Sequence, residues 1–150
     1  MRKRLAWPIL ATTGLILLLL LLRGGIFRGD TDLAGVDANQ DGVRDDVETF
    51  INEHYADERV RMAARHLHQG IQAAILDPAG HDTNMILCAS GCLADLTGKR
   101  DVGAEIEAAT ANTRARIRQY VKAEARDSGK IIGCPLDFKE ACAYAGSKKR

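Results

Sequence analysis

Eighteen consecutive residues without a charge, Leu5 to Leu22, follow the basic start Arg2, Lys3 and Arg4 and run directly into Arg23. The run LAWPILATTGLILLLLLL is interrupted only by Pro8, Thr12, Thr13 and Gly14. As a helix it would extend about 27 Å at ~1.5 Å per residue, close to the ~30 Å hydrocarbon thickness of a bilayer. A cleaved signal peptide has a shorter apolar stretch followed by a small-residue A-x-A site, whereas here the last leucines meet an arginine. The expectation is therefore an uncleaved signal anchor over residues 1–23, with a cleaved, secreted or periplasmic product as the alternative. No cysteine lies near the segment to carry a lipid. Arg2, Lys3 and Arg4 outweigh Arg23 and Arg28, which orients the N-terminus to the cytoplasm and the remainder outward. The expected location is the cytoplasmic (inner) membrane, single-pass, with the C-terminal domain in the periplasm.

The boundary also divides the charge. Of 21 basic and 20 acidic residues, the first 29 positions hold five basic and no acidic ones, leaving 16 basic and 20 acidic residues and a formal −4 beyond them. A mildly acidic domain is not built for nucleic acid. The length leaves room for one small core.

Four cysteines, Cys88, Cys92, Cys134 and Cys142, lie in the outward part. An even number in a small exported domain reads as a disulfide framework. C-x3-C and C-x7-C spacings do not match the paired C-x2-C of zinc sites or of redox motifs. Cys88 and Cys92 stand one helical turn apart on one face and are poorly placed to bridge each other, so each is expected to clip the C-terminal segment onto its helix. Three pairings are formally open.

Residues 24–36 read as a Gly-rich tether. Beyond them the apolar period is helical throughout. A first helix is expected from about Asp46 to Tyr55, with Val47, Phe50, Ile51, His54 and Tyr55 on its stripe. A second starts at the N-cap Asp57, buries Val60, Ala64, Leu67, Ile71, Ala74 and Ile75, and stops at Asp77-Pro78; its Arg59, Arg61 and Arg65 read as solvated. A third, after Asp82 or Thr83, turns Met85, Ala89, Cys92, Leu93 and Leu96 inward and ends at Gly98, with Gly91 explained by a close neighbour. The fourth is expected as one long helix from about Val102 to Asp127, with Val102, Ile106, Ala109, Thr113, Ile117, Tyr120 and Val121 on one stripe. A last short turn, DFKEACAY, would bring Phe138, Cys142 and Tyr144 to the bundle, and residues 146–150 form a basic tail. IIG at 131–133 is only a linker. The predicted fold is all-α: a small disulfide-tied helical bundle over 46–145 behind an N-terminal transmembrane helix.

Chemistry is concentrated in DANQDGVRDDVE, residues 37–48. A calcium ion takes six to eight oxygens, and a 12-residue loop supplies them from positions 1, 3, 5, 7, 9 and 12 around a glycine at 6. Counted from Asp37, these are Asp37, Asn39, Asp41, the Val43 carbonyl, Asp45 and Glu48, with Gly42 at the turn. Asp45 and Glu48 alone would make a D-x-x-E capping box, and Asx turns account for further polar residues. Neither explains why Asp37, Asn39 and Asp41 alternate, since converging carboxylates repel unless a cation gathers them.

The stretch resembles the EF-hand calcium loop, above all the D-x-N-x-D-G-x-x-D-x-x-E variants of dockerins and thrombospondin type 3-like repeats. It is also similar to a G-x-D-x-N-x-D-G-x-R-D-D-V-E segment found soon after the signal sequence in small exported proteins of Gram-negative bacteria. The likeness covers Gly35 to Ile51 and implies calcium ligation by Asp37, Asn39, Asp41, Val43, Asp45 and Glu48. The chain departs from that pattern at position 8, which is Arg44 rather than an aliphatic residue, and in having a tether where a standard hand has an incoming helix. One structural calcium site, not a paired regulatory hand, is the expectation.

Other candidates read as ordinary surface. His66 and His68 point about 200° apart on a helix and cannot clamp a metal together; with His54 and His81 they read as surface or half-buried. Ser90 lacks a G-x-S-x-G context and a base. Glu105, Glu107, Glu124 and Asp127 read as solvated helix exteriors, and the terminal SKKR as a weak contact for anionic lipid. No enzyme is expected. The alternative function is an envelope protein–protein interaction module in which the acidic loop is a helix cap; a thiol enzyme would require a free cysteine.

Overall fold

The computed structural model describes residues 32–130, 132–137 and 140–142; the expected anchor, together with Phe138 and Tyr144, lies outside the described residues. Five helices follow in order: α1 Asp45–His54, α2 Glu58–Leu76, α3 Thr83–Thr97, α4 Val102–Thr110 and α5 Arg114–Asp127. Among the described residues there is no strand, and no helix is long and apolar enough to cross a membrane.

The fold is organised on α2, against which the other four helices all pack. Its buried stripe of Val60, Ala63, Ala64, Leu67, Ile71, Ala74 and Ile75 meets Val47 and Ile51 of α1, Ile86, Ala89 and Leu93 of α3, Val102 and Ile106 of α4, and Tyr120 and Ala123 of α5. The Asp57 carboxylate caps α2 by accepting from the Arg59 N–H at 2.8 Å. Where α2 and α3 come closest, Gly70 has no room for a Cβ, which would sit 2.9 Å from Ile86 Cγ1.

Both disulfides fasten the C-terminal segment to α3, as expected: Cys88–Cys134 and Cys92–Cys142, with Cα–Cα distances of 4.8 and 5.1 Å. They close loops of 46 and 50 residues, each worth about 2–4 kcal/mol through the restricted unfolded chain. All four cysteines are consumed, and no free thiol remains.

The expected long fourth helix is two. Ala111, Asn112 and Thr113 break it, and the Thr113 hydroxyl restarts it as the cap of α5, accepting from Arg116 N at 3.2 Å. In an unbroken helix the carbonyls of Ala109 and Thr110 would accept from Thr113 and Arg114. Here the Arg44 guanidinium takes them instead, Nη1 donating to Thr110 O at 2.7 Å and Nη2 to Ala109 O at 3.4 Å. The break also shifts the phase: Ala115, Arg116, Tyr120 and Ala123 face inward, while Ile117 and Val121, expected inside, are 49% and 58% exposed.

Several smaller expectations also change. Gly91 has open space, since nothing lies within 4 Å of where its Cβ would be. Arg61 is not simply solvated: it pairs with Glu58 and donates to the Tyr55 and Ala56 carbonyls at 3.0 and 2.9 Å, closing the C-terminal end of α1. Asp127 is buried rather than exterior. It accepts from Arg126, Thr83 and Lys130, and the Arg126 guanidinium above all holds its carboxyl well below the usual carboxylate range. His81 is buried beside it.

His68, read as surface or half-buried, is fully buried. Its Nε2 lies 3.2 Å from Arg44 N and its Nδ1 2.9 Å from Thr110 Oγ1, which in turn donates to Ile106 O at 2.7 Å. Because Nε2 accepts the Arg44 N–H, the ring is neutral with its proton on Nδ1. Burial, reinforced by the Arg44 charge, pushes the imidazole down to about 4. The folded state therefore binds fewer protons than the unfolded one between pH 6.5 and 4, so stability is complete above 6.5 and falls as the pH drops through that window. That gap corresponds to roughly 3 kcal/mol. The depressed carboxyls Asp46 and Asp127 act lower, below their ordinary value of 3.8. Denaturant unfolding between pH 7 and 4 is expected to lose about 3 kcal/mol, and His68→Gln to flatten most of that slope.

Candidate metal centre

Residues 37–44 link the incoming chain to α1, and residues 45–48 form its first turn. Two left-handed residues shape the loop, Gln40 at φ 58° and Gly42 at φ 84°; only glycine takes such a conformation freely. The Asp37 carboxylate reaches across this turn and accepts from the N–H groups of Asp41 and Gly42 at 3.2 and 2.9 Å. Asn39 Oδ1 accepts from Asp41 N at 3.1 Å, and Asp41 Oδ1 from Val43 N at 2.8 Å. Val43 buries its side chain.

Asp45 joins the two ends. Its N–H donates to Val36 O at 2.9 Å and its carboxylate accepts from Ala38 N at 3.0 Å. The D-x-x-E capping box is not formed: Asp45 is the first residue of α1, Arg44 is the N-cap and its side chain caps no helix N–H, and the Glu48 N–H donates to Arg44 O at 2.8 Å. Asp45, Asp46 and Glu48 instead place negative charge at the helix N-terminus, where the backbone dipole favours it.

The Asn39 amide lies between two carboxylates, its Nδ2 donating to Asp41 Oδ2 at 3.4 Å and Glu48 Oε2 at 3.3 Å. The other Glu48 oxygen is 3.4 Å from Arg65 Nη2. Among the described residues no three His, Cys, Asp or Glu side chains come together closely enough to hold a metal ion. The oxygens of Asp37, Asn39, Asp41, Asp45 and Glu48 are thus engaged by backbone N–H groups, an amide and an arginine. In donor chemistry the set fits a hard cation: carboxylate, amide and carbonyl oxygens with no imidazole or thiolate among them. Seating an ion would require the Asn39 amide to turn its oxygen inward and Glu48 to leave Arg65.

Sequence reasoning passed over the group that holds this loop in place. Arg44 is 2% exposed. Besides the two α4 carbonyls, it binds both Asp46 oxygens at 2.9 and 2.7 Å, Gln72 Oε1 at 3.3 Å and Asn112 Oδ1 at 3.3 Å. Gln72 donates onward to the Leu33 and Ala34 carbonyls at 3.0 and 3.1 Å, and Arg116 Nε to Leu33 O at 3.2 Å. The end of the expected tether is therefore bound to α2 and α5. Gln69 Nε2 completes the seat by donating to Asp41 O at 3.0 Å.

Removing the guanidinium leaves the Thr110 carbonyl buried without its donor, and breaking a buried ionic network of this kind costs about 3–5 kcal/mol. Arg44→Met is expected to lower the unfolding free energy by that amount. Asp46→Asn, on a side chain 52% exposed, should cost about 1 kcal/mol or less. Equal losses from the two substitutions in denaturant melts would contradict this division.

No protein-family model, no curated protein and no solved structure matches the chain.

Proposed function

We propose that the protein is a membrane-anchored extracytoplasmic domain that binds one calcium ion through Asp37, Asn39, Asp41, the Val43 carbonyl, Asp45 and Glu48. The ion's role is structural: it fixes the incoming chain to the start of α1. The observation that carries the reading is the Asp37 carboxylate spanning a left-handed Gly42 to the Asp41 and Gly42 N–H groups, while Asn39, Asp41 and Glu48 gather on one side. Five carboxylates in twelve residues repel one another, and an amide N–H is a weak substitute for the cation that would relieve this. Calcium suits an adaptable loop better than magnesium, which demands near-ideal octahedral geometry. The anchor and the outward orientation rest on the apolar run and its flanking charges.

A second reading, an envelope interaction module with no functional metal, is favoured by one observation: the loop oxygens already have protein donors. Calorimetric titration of the full chain in detergent micelles decides between the two. The calcium reading expects saturable 1:1 binding, weaker with magnesium. At about a hundredfold excess over Kd it expects a rise in Tm of roughly 10 °C, from some 2.7 kcal/mol of mass-action stabilisation. Both effects should vanish in Asp37→Ala/Asp41→Ala. No heat and no shift up to several millimolar calcium, with the fold intact, would leave the second reading.

A further inference from the structure

Helix α5 presents an outer face that is exposed and against which none of the other four helices packs. At 100° per residue, Ile117, Val121, Arg114, Ala125, Arg118 and Lys122 fall in that order across about 140° of its surface, and all six are exposed. The apolar pair occupies one edge and the three cations the other. Lys122 Nζ donates to Gln119 Oε1 at 3.2 Å, and neither Arg114 nor Arg118 has an ion-pair partner among the described residues. Glu124 borders the apolar edge, and no acidic residue lies within the face. This segregation arises because the break at Ala111–Thr113 rotates Ile117 and Val121 out of the core.

The same end of α5 receives the incoming chain, since Arg116, in its first turn, holds the Leu33 carbonyl. Eight residues, 24–31, separate Arg23 from Asp32, a reach of at most ~32 Å. A helix is ~10–12 Å across, so that reach allows the outer face of α5 to turn toward whatever surface holds the first 23 residues.

We propose that the α5 face, Arg114, Ile117, Arg118, Val121 and Lys122, docks on anionic phospholipid headgroups of the membrane that anchors the chain. The occupant follows from the chemistry of the face: an apolar edge beside a row of cations is what an anionic bilayer interface accommodates. Each cation near such a surface is worth roughly a fivefold gain in partition, so three give about a hundredfold. The short tether adds a high effective concentration, which lets a weak face remain docked. The proposal rests on the anchor reading above, and its test separates the two.

Trp7 is the sole tryptophan and lies within the apolar run. The full chain is reconstituted in vesicles of about 70% zwitterionic and 30% anionic phospholipid carrying a headgroup-level quencher. Wild-type Trp7 reports insertion of the anchor, and Val121→Trp in a Trp7→Phe background reports docking of α5. Docking predicts that the position-121 reporter is blue-shifted and quenched on the anionic vesicles, and that quenching falls severalfold on purely zwitterionic ones, at about 0.5 M salt, or with Arg114→Gln/Arg118→Gln/Lys122→Gln. Trp7 quenched with the position-121 reporter unquenched on anionic vesicles would overturn the docking while leaving the anchor, and would assign the face to a protein or a second copy. Equal quenching of the reporter on neutral lipid would overturn the role of the cations. If Trp7 itself is not quenched, the anchor reading fails and the docking fails with it.

Discussion

The Arg44 guanidinium, buried with donors aimed in several directions, is the constraint on which the rest of the domain depends. It takes the Thr110 and Ala109 carbonyls that helical continuation would otherwise occupy, and so the long amphipathic pattern of residues 102–127 is cut into α4 and α5. The Arg44 backbone N–H fixes the His68 ring, Asp46 balances the guanidinium charge, and Gln72 passes the connection to the incoming chain at Leu33 and Ala34. A single side chain next to the acidic loop thereby joins that loop to α1, α2, the α4–α5 break and the tether. Desolvating a guanidinium is costly, and its geometry is tolerated because nearly every donor is satisfied.

This placement gives the loop its proposed role. An ion-binding turn on a free tether would change only its own shape, whereas residues 37–48 are tied at both ends, through Asp45 to Val36 and through Arg44 to the core. An ion that stiffened the turn would stabilise the tether–bundle junction by mass action, without the opening of a hydrophobic groove that a paired sensor hand undergoes. The disulfides act at the opposite end of the chain by holding 134–142 to α3, so the two ends are secured by different chemistry.

Much of this was legible in the sequence because it depends on local rules. The 3.6-residue period gave α2 nearly residue by residue, Asp57, Asp82 and Gly98 marked helix ends, and the one-turn spacing of Cys88 and Cys92 directed both disulfides to the C-terminal segment. What the sequence concealed depends on long-range partners. The helical phase of α2 does place His68 four residues after buried Ala64, on the apolar face, but its polarity made a surface reading the natural one until Arg44, from another element, supplied the partner. Arg44 registered only as a departure at one loop position. The break at Ala111–Thr113 lacks glycine and proline, and capture of the Ala109 and Thr110 carbonyls by Arg44 accompanies the Thr113 cap there. Asp127 read as exterior because Thr83, on α3, reaches it only once α3 and α5 are packed.

Amide hydrogen exchange of the full chain in detergent micelles, compared in calcium and in chelator, tests most directly whether the loop and the bundle are one structural unit. Calcium is expected to slow exchange at least tenfold at Arg44 N–H, bonded to His68, and at Asp45 N–H, bonded to Val36, as well as within residues 37–43. Slowing confined to residues 37–43, or no slowing with calcium bound, would contradict it, because the ion would then occupy the loop without securing the tether to the domain.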